Sequence, residues 1–202
     1  RPRKLLQLMT TAPVSPSSAG GDASPLIHLN LIWFSSVMGL SGLALAWTRA
    51  VPVMGLGAHH AAIAIAAVAA VVWLALALAT FARVRRYPVV VALDVQHPVR
   101  HAFVAAVPIG LLLLVALGTH FLGPQPLLHG LWVLAAAAQL LVTLWVLGRW
   151  LHEHRDGEPP MWVGITPALF IPIVGNVVAP LGGLALGHEA WSLAQLAVGV
   201  FF

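Results

Sequence analysis

RVRRYPVVVALDVQHPVRHAFVAAVPIGLLLLVALGTHFL, residues 83–122, is the stretch whose reading decides the fold. Arg83, Arg85, Arg86 and Arg100 crowd its first half, and from His101 to Leu122 no Asp, Glu, Lys or Arg occurs. An uncharged apolar run of that length meets the requirement of about 20 residues for a helix crossing a bilayer. Arginines held at one end of such a run mark the cytoplasmic side.

Working outward, six apolar segments appear: 26–47, 60–82, 101–122, 128–151, 161–186 and 189–202. The remaining cations, Arg1/Arg3/Lys4 and Arg149/Arg155, fall on the same side as the arginines of 83–100 if the segments alternate in direction. Only Arg49 has the opposite parity. The chain therefore reads as an all-α, multi-pass membrane protein with a cytoplasmic N-terminus, inside loops at 83–100 and 152–160, and outside loops at 48–59, 123–127 and 187–189. Composition agrees, with 60% hydrophobic and only 8% charged residues, far below the roughly 25% charged of a soluble domain. The net charge of +4 comes from loop arginines and not from a basic face interleaved with aromatics, so nucleic-acid binding is not expected. Cysteine is absent, which excludes disulfides, thiolate metal sites and cysteine nucleophiles.

Residues 1–25, rich in Pro, Ser, Gly and Thr, read as a disordered cytoplasmic tail, and 26–202 as the transmembrane domain. The sixth segment is still running at Phe202 without a flanking charge, so the chain is expected to be a fragment of a longer protein.

The spans alternate in character. The second has no Gly or Pro between His60 and Ala82, and the fourth has Gly only near its ends. The first carries Ser35, Ser36, Gly39, Ser41 and Gly42, the third Pro108 and Gly110, and the fifth Pro167, Pro172, Gly175, Pro180, Gly182 and Gly183. Proline in a helix interior removes a donor and bends the axis, and such breaks persist in a membrane only against protein or a water-filled cavity. Breaks in alternate spans predict helical hairpins whose odd helices form an inner pore ring and whose even helices form an outer layer. Ala62, Ala66 and Ala70 read as a small-residue packing seam.

Three stretches carry a resemblance. FSSVMGLSGLALAW (34–47), HPVRHAFVAAVPIG (97–110) and FIPIVGNVVAPLGG (170–183) are together similar to the first helix, the loop and third helix, and the fifth helix of the tellurite-resistance/dicarboxylate transporter family. That family includes the plant guard-cell slow anion channels. The resemblance implies a ten-helix fold of five hairpins, a pore lined by odd helices, and a homotrimer. It departs at Val37, where the family often has proline, and the family's gating phenylalanine on the ninth helix lies beyond this chain.

The expected function is conduction of small inorganic or organic anions across the inner membrane by a channel or transporter. The expected lining is Ser35, Ser36, Gly39, Gly42, Pro108, Gly110, Pro172, Gly175, Asn176 and Pro180. The alternative within transport is a proton-coupled carrier of C4-dicarboxylates or an exporter of tellurite or other oxyanions. Apart from Arg149 and Glu189 at segment ends, no Asp, Glu, Lys or Arg lies inside the spans, whereas coupled carriers usually place a carboxylate or histidine there as a relay.

Enzyme and cofactor readings fare less well. Gly39-Leu40-Ser41-Gly42 matches the serine string of an intramembrane hydrolase, but no histidine base lies mid-span to activate it. The ten histidines sit at segment ends and in loops, which fits interfacial residues better than haem ligands. His152-Glu153-His154 lacks the spacing that puts two ligands on one helical face. No enzyme activity, cofactor or metal is expected.

Overall fold

A computed structural model describes residues 25–97, 100–153 and 167–202. The expected N-terminal tail, most of the loop 152–160 and the start of the fifth span lie outside the described residues. Among those described, every regular element is helical. They are α1 (Phe34–Met54), α2 (Leu56–Arg86), α3 (Pro88–Gln96), α4 (Ala106–Leu122), α5 (Pro126–Glu153), α6 (Phe170–Val174), α7 (Ala179–Gly183) and α8 (Glu189–Phe201). Short 3-10 turns lie at Pro25–His28, Leu31–Trp33, Arg100–Ala105, Pro167–Leu169 and Gly175–Val178. Four helical stretches are long and apolar enough to cross a membrane: Leu31–Met54, Leu56–Arg86, Arg100–Leu122 and Pro126–Arg149.

The hairpin turns are tighter than hydropathy alone predicts. The outside loop expected at 48–59 shrinks to Gly55, because α1 continues to Met54 and α2 starts at Leu56. Pro52 stands within the last turn of α1, and Gly55 reverses the chain at φ +67° while its N–H meets the Val51 carbonyl at 2.8 Å. Only glycine takes that left-handed conformation without steric cost. Gly123 ends α4 in the same way, at φ +72°. Hydropathy marks where lipid ends, whereas the turn residue marks where the helix ends.

Burial ranks the helices. In the most apolar window of α4 and its leading turn 67% of residues are buried, against 11% in α2. Apolar attraction between helices is weak in lipid, so close packing holds them together. Leu112 and Val115 of α4 pack with Leu128, Trp132, Ala135 and Ala136 of α5 and with Ala179 of α7. On α2 the buried alanines are Ala58, Ala62 and Ala69, with Ala70 exposed. The seam therefore lies rotated from the expected Ala62/Ala66/Ala70 stripe.

The arginine-rich segment is more than a topology signal. Within the expected loop 83–100, Pro88 opens the short helix α3 at a position where its missing N–H costs nothing. Asp94, near the end of α3, binds Arg83 of α2 at 2.6 Å and Arg100 at 2.7 Å. Arg83 also donates to the Ile27 carbonyl at 3.2 Å. Arg149 of α5 donates to the carbonyls of Val95 and Gln96 at 2.9 and 3.0 Å, covering the C-terminal end of α3. One acidic residue and three arginines thus tie together the N-terminal segment, α2, α3, the start of the third span and α5.

Burial alone works to raise the Asp94 carboxyl, but the hydrogen bonds and charges of Arg83 and Arg100 outweigh it and hold the group below its ordinary value. A carboxylate with a depressed folded-state pKa contributes stability above its unfolded pKa, and that contribution is lost as pH falls through the folded value. Asp94→Asn should therefore cost about 2 kcal/mol at neutral pH. Thermal unfolding in detergent should show the wild-type advantage at pH 7 and its disappearance below about pH 4, where carboxylates protonate.

Candidate functional site

The fifth span is not a continuous helix. α6 gives way to the 3-10 turn Gly175–Val178 and then to α7. Such a break frees backbone groups that hydrocarbon cannot satisfy. Here the Pro172 carbonyl is met by three side chains: Gln139 Nε2 at 2.7 Å, Thr143 Oγ1 at 2.7 Å and Asn176 Nδ2 at 3.0 Å. Asn176 Nδ2 also reaches Thr143 Oγ1 at 2.8 Å and the Ile173 carbonyl at 3.2 Å. One turn further, Trp132 Nε1 donates to the Ala179 carbonyl at 2.9 Å. The even helix α5 therefore supplies most of the donors that hold the broken odd span. Gly175 makes this possible, since a Cβ there would overlap Gln139 Nε2 and the Ile109 side chain.

The opposite side of the break faces open space. Met38, Ile109, Val174 and Gly175 line an apolar cavity of about 260 Å³ between α1, α4 and the fifth span. Leu45, Arg49, Ala116, His120, Leu181 and Ala185 line a second cavity of about 590 Å³. The numbering reveals a shared register. Met38, Leu45 and Arg49 on α1, Ile109, Ala116 and His120 on α4, and Val174, Leu181 and Ala185 on the fifth span all follow the spacing i, i+7, i+11. On the continuous helices α1 and α4 that spacing keeps the three residues on one face, whereas on the broken fifth span the shared cavities are what bring the three to one side. Seven residues advance a helix about 10 Å, so the second cavity lies beyond the first, away from the arginine belt. Gly39, Gly110 and Gly175 each follow the first member of their stripe.

The expected lining residues are distributed as follows. Gly175 lines the first cavity. Gly42 stands four residues after Met38, on its face, with nothing near a Cβ placed there, and Gly39 is equally open. Ser35 and Ser36 are exposed, and the Ser36 hydroxyl donates to the Trp33 carbonyl at 2.7 Å. Gly110 instead packs on Trp73 and Val37. Pro108 is buried in the first turn of α4, where the 3-10 turn becomes α-helix, and Trp73 Nε1 donates to the adjacent Val107 carbonyl at 3.1 Å. Pro172 and Asn176 are buried in the network with α5, and Pro180 is half-buried in the first turn of α7. Sequence reading missed Gln139, Thr143 and His120, and treated Arg49 only as an exception to charge parity. Buried Gln and Thr inside an otherwise apolar span were the available signal for the first two.

Among the described residues no group of three or more His, Asp or Glu side chains is placed to hold a metal. His101 is buried, with Nδ1 3.0 Å from the His97 carbonyl. His129 Nδ1 lies 3.2 Å from His188 Nε2, and His188 stacks on Trp132.

Two glycine substitutions separate packing from open space. Gly175→Ala should displace Gln139 from the Pro172 carbonyl and cost about 1–3 kcal/mol. Gly42→Ala should be neutral or stabilise by up to about 1 kcal/mol. Thermal unfolding of both variants in detergent checks the contrast.

Among known proteins, the profile of the voltage-dependent anion channel family matches residues 28–202. No curated protein matches the chain. The chain belongs to the voltage-dependent anion channel family, whose members are channels and transporters.

Proposed function

We propose that this family member conducts small anions passively along the groove between α1, α4 and the fifth span. The observation that carries the reading is the shared i, i+7, i+11 register, with which three odd spans line two successive cavities. Since any helix face repeats at this spacing, the weight rests on all three odd spans lining both cavities. The even helices α2 and α5 then act as the outer layer, with α5 holding the fifth span's break in shape.

The lining we infer consists of the three stripes with Gly42 and Gly175. Gly39, Gly110, Pro108, Pro172 and Pro180 thin or bend the odd spans, Asn176 braces the fifth, and Ser35 and Ser36 stand at the cytoplasmic approach. Neither cavity has an acidic residue in its lining, so nothing there repels an anion or binds a cation. The smaller first section is apolar, and a hydrophobic constriction of that kind gates by dewetting. Coupled export of C4-dicarboxylates or tellurite is the second reading. It is disfavoured by the acidic residues of the described helices, since Asp94, Glu153 and Glu189 all stand at helix ends. The arginine belt supports an inner-membrane orientation with the N-terminus in the cytoplasm, and the resemblance in the sequence supports a homotrimer.

Single cysteines in the full-length protein test the lining. At Met38, Leu45 and Leu181 they should react with a small water-soluble thiol reagent and lose at least half of the anion flux in liposomes. At Leu78 and Leu141, exposed on the even helices, they should leave flux unchanged. Equal effects in both groups would contradict the path.

A further inference from the structure

Arg49 is the one cation whose position contradicts charge parity. It is exposed near the outer end of α1, and both ion pairs among the described residues use Asp94, at the other end of the molecule. A cation placed against the positive-inside trend and paired with no carboxylate among the described residues is a candidate for another role. The structure supplies one, because Arg49 lines the larger, outer cavity.

The register adds a second observation. Arg49 on α1 and His120 on α4 occupy the same final position of their stripes, and the fifth span has Ala185 there. Each is preceded by a threonine whose hydroxyl is already committed to its own helix. Thr48 Oγ1 donates to Leu45 O at 2.7 Å, and Thr119 Oγ1 donates to Ala116 O at 2.8 Å. The side-chain donors left to a solute in this cavity are the Arg49 guanidinium and the His120 ring. Both line a cavity of about 590 Å³, which has room for a small hydrated anion.

We propose that Arg49, assisted by His120, forms an anion-capture site at the outer mouth of the path, with preference for small planar oxyanions. The guanidinium presents a rigid fork of N–H donors that pairs two oxygens at once, which a spherical halide cannot reproduce. At the mouth of a low-dielectric groove a single fixed charge raises the local anion concentration, and salt screens this effect. The site rests on the anion-conducting reading above and assigns its outer mouth.

The test measures chloride and nitrate flux in liposomes containing the full-length wild type, Arg49→Gln or Arg49→Lys. With 10 mM external anion, R49Q should reduce both fluxes about threefold or more, and at 1 M the difference should vanish through screening. R49K, which keeps the charge but not the fork, should restore chloride flux while losing the preference for nitrate. Unchanged thermal unfolding of R49Q shows that the fold is intact. If wild type conducts anions and R49Q matches it at 10 mM, the capture site is overturned. A nitrate preference kept by R49K overturns the oxyanion assignment. If wild type conducts no anion, it is the proposed function that fails, which separates the two outcomes.

Discussion

In a bilayer core every backbone polar group must find a partner within the protein, and in this chain the requirement converges on the Pro172 carbonyl. The fifth span breaks there because Pro172, Gly175 and Pro180 do not sustain one continuous helix. The break survives because Gln139 and Thr143 on α5, with Asn176 beside them, donate to the exposed carbonyls. Gly175 lets these donors approach, and Trp132 repeats the service at Ala179. Without that bracing the fifth span has no defined shape, and the groove it forms with α1 and α4 loses one wall. The division of labour is physical: the even helix α5 satisfies the backbone, and the odd spans are thereby free to present a second face.

That second face is written in a register. Met38, Ile109 and Val174 form one level, Leu45, Ala116 and Leu181 the next, and Arg49, His120 and Ala185 the outermost. The levels change from apolar to charged along the groove. At the other end Asp94 gathers Arg83 and Arg100, and Arg149 caps α3. The arginines that carry the charge bias of the sequence also clamp this end of the fold.

The four long apolar spans were legible because hydropathy depends on local sequence alone. Of the expected breaks, however, only the fifth span's lies mid-span, since α1 runs unbroken through Gly39 and Gly42 and α4 through Gly110. Helix ends were less legible. Met54 remains helical past the apolar core, and Gly55 turns the chain in a single residue, which hydropathy does not register. Helix α3 escaped notice because a short helix between two charged clusters looks like a loop. At the candidate site, alternation of broken and clean spans pointed to the odd helices, but facing was not legible. Gly110 turns toward Trp73 and Asn176 toward Thr143 because packing partners on neighbouring helices decide which side of a helix is buried. The stripes themselves were present in the numbering, and became visible once the cavities showed which residues to compare.

The central claim is that the groove between the odd spans carries anions, and the reversal potential in a salt gradient tests it most directly. With the full-length protein in a planar bilayer separating unequal potassium chloride concentrations, the current should reverse close to the chloride equilibrium potential. A reversal that follows the potassium equilibrium potential would contradict the account.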